Sequence, residues 1–220
     1  MTVTLVLASA SPARRALLRA AGVDPVIRVS GVDESAIEAG LAAEGRTSPA
    51  EVCAALAVAK AEAVADDVRR ELPGAVVVAC DSVLDLDGVA LGKPADPAEA
   101  VLRWQAMRGR DGVLRTGHTV VRLGASRADD IEVSSVASTL VRFADLDDDT
   151  ITAYVATGEP LNVAGAFTLD GLGGPFVEGV DGDPANVVGL SLPLLRHLLA
   201  DVGVGWTSLW ADGSRRPPRR

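Results

Sequence analysis

The run "AVVVAC", residues 75–80, carries no charged side chain and stops on Asp81. An uninterrupted apolar run of this length reads as a strand covered on both faces, which requires structure packed above and below it. Immediately before it, "SPAEVCAALAVAKAEAVADDVRR" predicts a long helix, with Ser48 as cap, Pro49 in the first position and Glu51 completing a capping box. Immediately after it, "VLDLDGVAL" reads as a hairpin turning at Asp87-Gly88.

The same grammar recurs along the chain. "VTLVLA" and "VIRVSG" read as strands, and Pro12 to Ala21 as a helix. "DPAEAVLRWQAM" starts a helix with Asp96 as cap and Pro97 inside. "LRTGHTVVRL" and "EVSSVASTLVRF" alternate like strands of a mixed or antiparallel sheet. "DLDDDTITAYVATG" opens with acids suited to a helix N-terminus and ends at Gly158, and "LSLPLLRHLLADVG" is a final helix. Between them, Gly165 to Gly189 is glycine-rich and shows little periodicity. The fold class expected is α/β or mixed α+β, arranged in two lobes.

Composition narrows the function. The net charge of -9 and the 3% aromatic content supply neither a polyanion-binding field nor a stacking surface, which makes nucleic acid an unlikely partner. No stretch reads as a signal peptide or a membrane span, and Cys53 and Cys80 have no metal-ligand spacing, so the expected location is cytoplasmic. The terminal "GSRRPPRR", within residues 213–220, reads as a disordered basic tail outside the fold.

Chemistry concentrates where the first strand hands over to a helix. In "LVLASASPARRALL", Ser11 is a credible N-cap and Pro12 a first helical residue, which puts Arg14 and Arg15 in the first turn. Cations are unfavourable there against the helix dipole, and a bound anion would relieve the conflict. Only two of the 21 basic residues are lysines, Lys60 and Lys93, the latter in the turn "LGKPAD". A compact ammonium retained in an arginine-rich chain fits a phosphate site.

Two acids form a second set. Glu34, with Asp33 as its alternate, follows the strand "VIRVSG", and Asp81 directly follows "AVVVAC". Carboxylates at strand ends beside a cleft could share a divalent cation completed by phosphate oxygens and water. Asp81 could instead cap a turn through Ser82. His118 and His197 are the only histidines and complete no nucleophilic triad; neither a GxGxxG nor a Walker A motif occurs. The inventory is Ser11, Arg14, Lys60 and Lys93 for an anion, with Glu34 and Asp81 for a metal. It fits cation-assisted attack of water on a phosphoanhydride.

"LASASPARRALL", "VDES", "LAVAKAEAV", "ACDSVLDLDGVALGKPADPAEA", "TGHTVV", "YVATGEPLNVAGAF" and "VEGVDGDPANVVGLSL" occur in the order seen in the Maf family of nucleoside triphosphate pyrophosphatases. The chain resembles that family from about residue 3 to residue 200. The resemblance implies one Maf-like domain over residues 1–212, with a mixed twisted sheet, flanking helices and a cleft between two lobes, as in inosine triphosphate pyrophosphatases. It implies hydrolysis of pyrimidine or modified nucleoside triphosphates to monophosphate and pyrophosphate with Mg²⁺, Mn²⁺ or Co²⁺, in the cytoplasm and in a homodimer. Glu34, Lys60, Asp81 and Lys93 fall on its acidic and lysine positions, and Ser11 and Arg14 on its serine–x–x–arginine signature. Ala13, Asn162, Val163, Phe167 and Asp170 depart from its pattern. Asp170 stands where the family has a glutamine, which makes it a candidate for base specificity. The family's link to septum formation gives the other reading, a nucleotide-binding regulator of cell division with little turnover.

Overall fold

The computed structural model describes residues 3–210; the basic tail expected at 213–220 lies outside the described residues. Strands β1 (Leu5–Leu7), β2 (Val26–Ile27), β3 (Val76–Leu86), β4 (Val89–Leu91), β5 (Asp111–Arg122), β6 (Ile131–Phe143) and β7 (Val177–Asp181) form one mixed sheet. Its order is β2-β1-β3-β5-β6-β7, with β4 paired to β3. β1 runs parallel to β2 and β3; β3, β5, β6 and β7 are antiparallel, which makes the sheet mixed as expected. The helices are α1 (Pro12–Ala20), α2 (Glu34–Ala43), α3 (Pro49–Glu71), α4 (Pro97–Met107), α5 (Asp148–Ala156), α6 (Pro184–Val188) and α7 (Leu192–Asp201).

Local chemistry accounts for the helix starts. Ser11, Ser48, Asp96, Asp147 and Ser191 each accept a hydrogen bond from the backbone N–H three residues on; proline directly follows the cap in α1, α3 and α4 and is the second helical residue in α7. The expected hairpin closes at Asp87-Gly88, both with positive φ, where Leu86 pairs with Val89.

Strand β3 organises the molecule. Its side chains alternate between faces: Val76, Val78 and Cys80 pack with α1 and α7, while Val77 and Ala79 pack under α3. The strand is buried on both sides, as its apolar run required. It does not stop at Asp81 but continues to Leu86, since the hairpin's first arm is the same strand. Asp81 is therefore a mid-strand residue opposite Gly117 of β5, not a strand-end carboxylate or a turn cap. The expected strand "VIRVSG" shrinks to Val26–Ile27, and Glu34 opens a helix rather than following a strand end. Asp33 caps that helix through the Ala36 N–H at 3.0 Å, which separates its role from that of Glu34.

Two close approaches position the cleft. A Cβ on Gly117 would sit 2.2 Å from the Cys53 carbonyl oxygen, so α3 rests directly on β5 beside Asp81. At Gly165 (φ 70°) and Ala166 (φ 58°) the chain turns through two left-handed residues. That kink is tied down from below: the buried Trp104 indole donates to the Ala166 carbonyl at 2.8 Å. Trp104 also meets Phe143, Tyr154 and Phe176 edge to face, in a buried cluster with Leu84, Leu114 and Ile151.

Candidate active site

A cleft of about 900 Å³ opens over the middle of β3, within the range of nucleotide-sized sites. Ser11, Arg14, Glu34, Lys60, Asp81, Lys93 and Asp170 all line it, whereas Asp33, the alternate to Glu34, does not.

Strand parity explains how. Asp81 is on the α3 face of β3 with Ala79 and Val83, and Ser82 is on the α1 face with Cys80. On α3, Lys60 occupies the buried stripe that includes Cys53, Leu56, Ala57 and Val64. Its ammonium donates to the Asp81 carboxylate and forms an ion pair with Glu34 Oε1 at 2.7 Å. Lys60, expected to face an anion, is thus joined to the two carboxylates expected to hold a metal. Two of the three Lys60 N–H donors are directed to carboxylates, which leaves one for another acceptor. For the Glu34 carboxyl, burial acts upward, but the Lys60 bond and the charges of Lys60, Lys93 and Arg14 hold its pKa below the ordinary value.

Glu38, one helical turn after Glu34, also lines the cleft and was missed from the sequence. Burial and the nearby Asp81 and Glu34 charges raise its pKa. The i, i+4 spacing of Glu34 and Glu38 is the signal in the sequence, and it has meaning only once residues 34–43 are known to be helical.

Arg14 departs from expectation. Its Nε donates to Gly189 O at 2.7 Å, Nη1 to Cys80 O at 2.7 Å and Ser9 Oγ at 3.2 Å, and Nη2 to Ser82 Oγ at 3.0 Å. Four of its five N–H donors are thus engaged within the protein, and the residue is buried. The guanidinium braces the α1 turn against β3 next to Asp81, whereas Arg15 is exposed. Ser11 keeps its expected cap, accepting from the Arg14 N–H at 3.3 Å.

The exposed Asp170 lies on a segment gathered by Glu159. That carboxylate accepts from Thr168 Oγ1 at 2.5 Å, Tyr154 Oη at 3.1 Å, and the Leu172 and Gly173 N–H groups at 3.0 and 3.1 Å. Neither histidine serves the cleft. His118 is fully buried; its Nδ1 bonds the Thr116 carbonyl at 2.9 Å and its Nε2 accepts the Ser191 N–H at 2.9 Å, an arrangement that requires the neutral Nδ1–H ring. His197 is exposed on α7.

Among the described residues, no group of three or more histidine, cysteine or acidic side chains is placed to hold a metal ion. The Glu34 and Asp81 oxygens nevertheless converge on one cationic centre, the Lys60 ammonium. Hard oxygen donors from two carboxylates fit a divalent cation completed by phosphate and water, rather than an all-protein cage. No described helix is long and apolar enough to cross a membrane.

The family model described as Maf-like protein matches residues 4–202. The chain is 60% identical over 207 residues to a nucleoside triphosphate pyrophosphatase of Streptomyces coelicolor, covering 94% of each chain. It is 55% identical over 217 residues to one of Nocardia farcinica, covering 98% of this chain and all of the relative, and 55% identical over 215 residues to one of Salinispora tropica, covering 97% and 90%.

Proposed function

The chain belongs to the Maf-like protein family and is a nucleoside triphosphate pyrophosphatase, and we propose that it cleaves the α–β phosphoanhydride in this cleft, releasing monophosphate and pyrophosphate. The observation that carries the reading is the Lys60 ammonium held between Glu34 and Asp81 on the cleft wall.

In this reading Asp81 takes the proton of an attacking water; its position within the central strand, facing the cleft, supports that role. Glu34 and Asp81 would hold Mg²⁺, Mn²⁺ or Co²⁺, whose positive charge when bound offsets that of the phosphates. Lys60 offsets the repulsion between the two carboxylates and turns its remaining N–H toward phosphate. Lys93 stabilises charge growing on the departing pyrophosphate, and Ser11 with the α1 N-terminal turn receives phosphate oxygens. Arg14 holds that turn in place.

Asp170, when ionised, offers only acceptors, so it favours a base edge that presents an amino group or ring N–H. The substrate class is pyrimidine or modified nucleoside triphosphates, chosen partly through this contact. Homodimeric assembly and a cytoplasmic location belong to the same proposal and rest on the family resemblance.

Ion-exchange analysis of initial products from a nucleotide panel tests the bond choice. Monophosphate and pyrophosphate are expected; diphosphate and orthophosphate would overturn it. Nucleotide binding without any release would favour the regulator reading. Asp170→Asn should reorder the panel, and an unchanged ranking would remove the base contact.

A further inference from the structure

Lys93 is exposed in the cleft and, among the described residues, forms no ion pair. An ammonium on a short turn can serve one phosphate only if its backbone is fixed, because the side chain itself has several rotatable bonds. The fixing comes from α4. Arg103 Nη1 donates to the Gly92 carbonyl at 2.5 Å, and its Nη2 reaches the Lys93 carbonyl at 3.4 Å. The guanidinium is in turn held by Glu99 one helical turn earlier, whose Oε1 accepts from Nε at 3.1 Å and Nη2 at 2.6 Å. The other Glu99 oxygen accepts the Ala95 N–H at 2.7 Å, on the far side of Lys93. From the left-handed turn at Gly165 and Ala166, the Gly165 N–H donates to the same Gly92 carbonyl at 3.0 Å.

The pair therefore grips the "GKPA" turn before and after Lys93. Burial supports a positioning role: the Arg103 side chain is 13% exposed, and four donations direct it to protein acceptors. We infer that Arg103 and Glu99 are positioning residues that set Lys93 against the substrate phosphates, and that the guanidinium acts through the turn rather than on the nucleotide. The inference rests on the phosphate role given to Lys93.

A double-mutant cycle on the full chain separates these roles. Arg103→Gln should lower kcat/KM for triphosphate hydrolysis by roughly tenfold, the scale of one lost charge-assisted contact. In a Lys93→Ala background the same change should have almost no further effect, because nothing remains to be positioned. In a Lys60→Ala background it should keep its full effect. Arg103→Lys, which can reach one carbonyl but not hold the fork, should fall between, and ligand-free melting temperatures identify any variant that loses the fold. Equal losses in all three backgrounds would overturn the inference, showing either a direct phosphate contact or general destabilisation. Wild-type kinetics for Lys93→Ala alone would instead withdraw the phosphate role of Lys93, and the clamp's function with it. Wild-type kinetics for Arg103→Gln beside an impaired Lys93→Ala would overturn the clamp alone.

Discussion

Lys60 and Asp81 form an ion pair between helix α3 and strand β3, with side chains only 11% and 10% exposed. Burial makes each charge depend on the other: removing one partner strands the second in a poorly solvated site. Glu34, with a side chain 47% exposed, is the solvent-facing third member and is correspondingly more screened.

The pair predicts a stability signature. Lys60→Met keeps the apolar stem but leaves Asp81 without its counter-charge, and should cost about 3 kcal/mol in urea unfolding at pH 7. Adding Asp81→Asn should recover a large part of that loss. Strictly additive losses in the double variant would show that the two charges do not support each other.

Arg14 gives a second test, in which ligand-free stability is decisive. Its donations to Gly189, Cys80, Ser9 and Ser82 join α1, β3 and the segment after α6, and a lysine reproduces only part of that fork. Arg14→Lys should lower stability by about 2 kcal/mol without nucleotide and also slow turnover. A variant with unchanged ligand-free melting temperature and impaired nucleotide binding would restore the view of Arg14 as a phosphate ligand.

The contrast shows what the sequence could carry. "AVVVAC", the capped helix starts and the Asp87-Gly88 hairpin were legible because each is local: an apolar run, a cap three residues from its partner, a turn that needs left-handed residues. Glu34, Lys60, Asp81 and Lys93 were legible as a set of charges suited to phosphate chemistry, and Ser11 as a helix cap beside them. Their partners were not. Whether Asp81 ends a strand depends on β5 continuing alongside it through Gly117, and whether Arg14 faces an anion or a carbonyl depends on Gly189, 175 residues away. Helix α2 was missed because most of its residues are exposed, so no apolar stripe marks it. Lys60 did leave a mark: it is the charged residue on the apolar stripe of α3.

His118 predicts a pH dependence of folding. Burial drives its pKa from 6.5 down to about 4 in the folded protein, so the unfolded chain takes up a proton first as pH falls. The stabilisation is fully present above pH 6.5 and is lost between there and pH 4, by up to about 3 kcal/mol. Urea unfolding at pH 7 and pH 5 should show a marked fall for the native chain and a smaller one for His118→Asn. Equal falls would mean that His118 is not held neutral.

If the carboxylates at Lys60 drive pyrophosphate release, loss of the Asp81 charge must slow it. Pyrophosphate release from a nucleoside triphosphate is followed with Mg²⁺ for the native chain and for Asp81→Asn, with chelator as the control. In the variant Glu34 still pairs with Lys60, so the chain should remain folded by circular dichroism. Turnover should fall at least about a hundredfold, the usual contribution of a positioned proton acceptor, and native activity should vanish with chelator and return with Mg²⁺. A folded Asp81→Asn protein that releases pyrophosphate at the native rate would contradict the account.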